Sequence, residues 1–111
     1  MTKYLFLYWN EPGPDRQPSP AEMQEMFARW NGWKEKFKQQ ILDIGDGLKN
    51  GGKVLKSGQV TDGPHAEAKE IIGGYSIVQA ESYEHALTVA RECPITFMPG
   101  GSIEIRELQG F

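Results

Sequence analysis

Residues Lys3 to Trp9 read Lys-Tyr-Leu-Phe-Leu-Tyr-Trp, an apolar and aromatic run without polar alternation. The run ends at Asn10-Glu-Pro-Gly-Pro14, which is turn chemistry, so it reads as a strand. Side chains alternate along a strand: Tyr4, Phe6 and Tyr8 share one face, and Leu5, Leu7 and Trp9 share the other. A strand apolar on both faces must be covered on both. Few folds available to a chain of 111 residues do that. At this length residues 1–111 form a single domain with one core.

The rest of the chain supplies the cover for one face. Ser19-Pro20-Ala21-Glu22 is a helix start, with Ser19 as cap, Pro20 at the first helical position and Glu22 completing a capping box. Apolar residues then recur at Met23, Met26, Phe27, Trp30, Trp33, Phe37, Ile41 and Ile44. These steps of three and four predict one helix that ends near Gly45 or Gly47. Gly32 weakens its interior, a cost offset if small size is needed where Trp30 and Trp33 crowd a sheet. Lys53 to Lys56 reads as a short strand whose return begins at Gln59-Val60. Gly73 to Ala80 is a second long strand. Ser82 caps a second helix from Tyr83 to about Glu92, stopped by Pro94, and Ser102 to Leu108 is the last strand.

The order β-α-β-β-α-β predicts an α+β, ferredoxin-like antiparallel sheet with two helices on one face. Nothing in the chain covers the other face. A second copy is the simplest cover, so a homodimer packed sheet to sheet is expected.

Charge and composition exclude several classes of function. Twelve basic and 15 acidic residues give a net charge of −3, without the clustered positive face that nucleic-acid binding needs. One cysteine, Cys93, excludes an internal disulfide and any multi-cysteine metal site. No apolar run approaches the roughly 20 residues of a membrane span, and residues 1–9 are too short for a signal peptide, so a cytoplasmic protein is expected. No phosphate loop, zinc motif or dinucleotide fingerprint occurs, and neither cofactor nor metal is expected.

The densest cluster of titratable groups lies in Thr61 to Tyr75. Asp62 and His65 are the candidate catalytic pair, a carboxylate on a proline-stiffened turn and an imidazole that exchanges protons near neutral pH. Asp62 also serves simply as a turn residue, and a lone loop histidine is more often solvated. Glu67 and Lys69 are candidate ligand contacts. With Glu70 they form, on the plainer view, a solvated charge cluster. Asp62, His65 and Glu67 do not have the spacing of a known metal site. Gly73-Gly74 permits a bulge or a close backbone approach at a strand start. In the last strand Glu104 and Arg106 alternate with Ile103 and Ile105 and point toward the expected dimer face. There Arg106 either pairs with a charge or lines a cavity walled by Trp33, Tyr8 and Tyr75. Core packing is the plainer role for those three rings. His85 is expected at the surface and Cys93 in packing at a helix end.

Several of these stretches carry a further signal: Val60-Thr-Asp-Gly-Pro64, Ala66-Glu67, Lys69-Glu70, Gly73-Gly74-Tyr75, Ala80-Glu-Ser82, Cys93-Pro94, and Gly100 to Arg106. With Trp33 and Gly51-Gly52, they resemble the DGPF branch of the YCII-related family over nearly the whole chain. The resemblance implies a ferredoxin-like fold that dimerises as an α+β barrel. In the broader family it implies small dehydrochlorinase-like enzymes with a proposed histidine–aspartate pair. The first helix here has no histidine, so that pair does not transfer. The motif's usual phenylalanine is His65 in this chain. The branch is also associated with sigma factors. Two readings stay open: a protein that binds or converts a small organic molecule by cofactor-independent acid–base chemistry, and a non-enzymatic regulatory module that partners a transcription factor.

Overall fold

The computed structural model describes residues 1–11, 18–63 and 70–110. Strand β1 (Thr2–Asn10) leads to helix α1 (Pro20–Lys36) and strand β2 (Ile41–Gly47). A hairpin of β3 (Gly52–Lys56) and β4 (Gln59–Gly63) follows, then β5 (Ile71–Ala80), helix α2 (Tyr83–Ala90), a 3₁₀ turn (Pro94–Phe97) and β6 (Ser102–Glu107). The main sheet has the order β2-β5-β1-β6, and every pairing within it is antiparallel. This is the ferredoxin-like α+β arrangement with a two-stranded hairpin added between β2 and β5. Among the described residues, no helix is long and apolar enough to cross a membrane.

Both helices start as their sequences dictate. Ser19 Oγ accepts the Glu22 N–H at 3.2 Å, and Ser82 Oγ accepts the His85 N–H at 3.2 Å. His85 is exposed, and its Nδ1 accepts the Glu81 N–H.

Helix α1 is shorter than its apolar spacing predicts. It closes at Phe37, whose N–H bonds the Trp33 carbonyl, and the chain turns into β2 at Ile41. Ile41 and Ile44 both pack on the core, as the helical pattern demanded, but they do so from a strand. Three residues apart, they would face opposite sides of a regular strand. Register shifts between Ile41 and Asp43, and between Asp43 and Asp46, bring both to the same side.

Gly32 is a second difference. A Cβ there would meet nothing within 4 Å, so no crowding requires glycine.

The core lies between the sheet and the helices. Tyr4, Phe6 and Tyr8 of β1 and Val78 and Ala80 of β5 are buried against Trp33, Ala86 and Val89. The Trp33 indole N–H donates to the Val89 carbonyl at 2.9 Å, tying α1 to α2. Cys93 is fully buried at the end of α2. The opposite sheet face carries Leu5, Leu7, Trp9 and Ile77, all half-buried. Cross-strand pairing sets Glu104 opposite Leu7 and Arg106 opposite Leu5 on that same face. Glu104 accepts the Trp9 indole N–H at 3.0 Å, and Arg106 reaches Glu104 at 3.5 Å.

Candidate functional site

A cavity of about 610 Å³ opens where the C-terminal ends of β1 and β2 meet the start of β5. Helix α1 overhangs it. Met26, Phe27 and Trp30 form one wall, Tyr8, Ile44, Ile95 and Met98 the floor and far side, and Trp9 and Tyr75 the flank toward the open sheet face. This explains an anomaly in α1. Its N-terminal apolar stripe is not buried: Met26 is 43% and Phe27 61% exposed. The stripe overruns the end of the sheet and walls the cavity instead of entering the core.

Glycines hollow the cavity out. Pairing of Tyr8 with Gly74 and Trp9 with Ile72 leaves Gly73 as the extra residue of a β-bulge. A Cβ on Gly73 would lie 2.2 Å from Asn10 Oδ1, and one on Gly74 would lie 3.0 Å from the Asp46 carbonyl oxygen. Gly45 has φ of +73°, and a Cβ there would collide with the Tyr75 carbonyl at 1.8 Å. A side chain at Gly45 would displace backbone, one at Gly73 would push the Asn10 side chain aside, and one at Gly74 would press on the β2 backbone.

Beneath the cavity a hydrogen-bond chain joins three strands. Ser76 Oγ lies 2.5 Å from the Ile44 carbonyl, which only accepts, so Ser76 donates to it. Ser76 therefore accepts the Tyr8 hydroxyl, at 2.6 Å. Burial, with Cys93 beside it, pushes the Tyr8 phenol far above its ordinary value. Tyr8 is thus a neutral donor whose proton is engaged, and it does not serve as a base. Burial likewise pushes the Cys93 thiol up to about 11. Polar groups at the cavity wall are Asn10, Asn50 and Asp46, whose Oδ1 accepts the Gly47 N–H at 2.7 Å. Among the described residues, no group of three or more His, Cys, Asp or Glu side chains is placed to hold a metal.

Of the described residues proposed from sequence, Tyr8 and Tyr75 line this cavity. Asp62 sits on β4, exposed and ion-paired with Lys53 across the hairpin. Trp33 is in the core, one turn of α1 from Trp30, with the rings 5.7 Å apart. Arg106 is on the open sheet face. His65, Glu67 and Lys69 lie outside the described residues. Of the described members, Asp62, Trp33 and Arg106 do not line the cavity, and Asp46, Asn10 and Phe27, which had no sequence-level claim, do. The available signal is Gly45-Asp46-Gly47, a carboxylate between two glycines at the expected helix end.

A family model described as the YCII-related domain matches residues 5–111. The chain belongs to the YCII-related domain family. No curated protein matches. Among solved structures, the chain is similar to the 5-chloro-2-hydroxyhydroquinone dehydrochlorinase TftG of Burkholderia phenoliruptrix AC1100, in complex with 2,5-dihydroxybenzoquinone. The identity is 21% and the TM-score 0.46, over 95% of this chain and 93% of that one. Membership leaves the occupant of the cavity to be argued from its walls.

Proposed function

We propose that this YCII-related chain binds a small, largely apolar organic molecule in the cavity beneath α1. The observation that carries this is the cavity itself. It falls within the roughly 300–1,000 Å³ of small-molecule sites, with aromatic and aliphatic walls and a few polar groups at its edge. Exposed Met26, Phe27 and Met98 at the rim fit the same reading, because flexible apolar side chains left in water gain by closing on a ligand. Quinoline, a planar neutral probe, is expected to bind saturably in a calorimetric titration. Phe27→Asp should weaken it by about tenfold or more, since a ring contact is lost and a charge introduced. Phe27 is exposed, so that variant keeps its fold. Equal affinity in both proteins would reject the cavity as the site.

Conversion of the bound molecule by cofactor-independent proton transfer belongs to the same proposal. Asp46 supplies the carboxylate at the wall. Asp62 and His65 keep a place only if Asp62→Asn or His65→Phe lowers turnover of an identified substrate. A homodimer is proposed as well. Leu5, Leu7, Trp9 and Ile77 form an apolar face bordered by Glu104 and Arg106, and opposite charges side by side are self-complementary across a two-fold axis.

A further inference from the structure

We infer that the cavity selects cationic ligands, a protonated or quaternary nitrogen carried on an apolar or aromatic frame. The inference rests on the cavity being the binding site and adds the charge of what enters it.

Five aromatic side chains stand around the cavity: Tyr8, Trp9, Phe27, Trp30 and Tyr75. The Tyr8 and Trp30 rings are 5.6 Å apart and inclined at 58°, so they present differently angled walls rather than one stacked plate. Aromatic faces carry negative partial charge and attract a cation within about 6 Å. Among the described residues, Asp46 is the one lining side chain with a formal charge at neutral pH, and no Lys, Arg or His lines the cavity. The Gly47 N–H holds one oxygen of the Asp46 carboxylate in place. A second carboxylate, Glu11, packs beside Gly100, next to the lining residue Gly101. Walls and edge therefore favour positive charge. Among the described lining residues an anionic ligand would meet Asp46 and no cation to pair with, and an unpaired charge taken out of water is costly. A neutral ligand gains the apolar walls alone.

Three planar probes of similar size separate the possibilities: N-methylquinolinium, quinoline and a naphthoate. They are titrated calorimetrically at a mildly alkaline pH that keeps quinoline neutral. N-methylquinolinium should bind tighter than quinoline by about 3- to 30-fold, the span of a cation–π contact from exposed to desolvated, and the naphthoate weakest. Asp46→Asn should cost the cation about threefold or more and leave quinoline unchanged. Quinoline binding as tightly as the cation, or the naphthoate binding best, overturns the charge preference while leaving the cavity as a site. If none of the three binds, the cavity reading itself fails and takes this inference with it.

Discussion

Cys93 and Tyr8 show how burial alone sets chemistry. Both are acids whose neutral form the core favours, so their folded values lie above their unfolded ones. The sign follows. Below the unfolded thiol value of 9.0, both states hold the proton and stability is constant. Between 9.0 and about 11 the unfolded chain releases it while the folded chain keeps it, and stability falls as pH rises. The expected slope from this one group is about 1.4 kcal/mol per pH unit. Urea unfolding of the wild type and of Cys93→Ala over that range checks it, because the variant should lose this part of the slope; equal slopes would contradict the assignment. Tyr8 adds to the fall at still higher pH. At this scale the sequence was readable where a side chain's role is packing. Trp33 and Cys93 fit a helical stripe and a helix end. It was unreadable for Asp46, because placing that carboxylate at a cavity depends on two register shifts that no local pattern announces.

The elements were legible to the extent that their signals were local. Caps at Ser19 and Ser82, the stop at Pro94 and the alternation of Ile103 and Ile105 all reflect nearest-neighbour chemistry. The error at residues 37–47 has a definite cause. Spacing of three and four fits a helix, and it equally fits a strand whose bulges absorb the extra residues. Gly32 yields a test at this level. It lies in an exposed stretch of α1 with open space at its Cβ position, so glycine there brings only its entropic cost. Gly32→Ala should stabilise the protein by about 1 kcal/mol, read as a higher urea midpoint with unchanged slope. A lower midpoint would mean that Gly32 meets something beyond its own chain.

For the whole molecule, the first strand set the terms. Apolar on both faces, it required two covers; α1 and α2 provide one, and we assign the other to a second copy. Light scattering at micromolar concentration should then return twice the chain mass of 12.5 kDa. Leu7→Lys, on the open face and opposite Glu104, should shift the population toward monomer. A monomeric wild type would require some other occupant of that face. The fold was thus readable from patterning, whereas the cavity was not, since it arises where the overhang of α1, the β5 bulge and the end of β2 meet across long sequence separations. Glycine amides report on it directly. Gly45, Gly47, Gly73, Gly74 and Gly101 line the cavity, whereas Gly52, Gly58 and Gly63 belong to the β3–β4 hairpin that carries Asp62. In an amide correlation spectrum titrated with quinoline, the first group should shift in a saturable way while the hairpin glycines stay in place. Shifts centred on Gly52, Gly58 and Gly63, with the cavity glycines unmoved, would contradict the account and return the site to the hairpin.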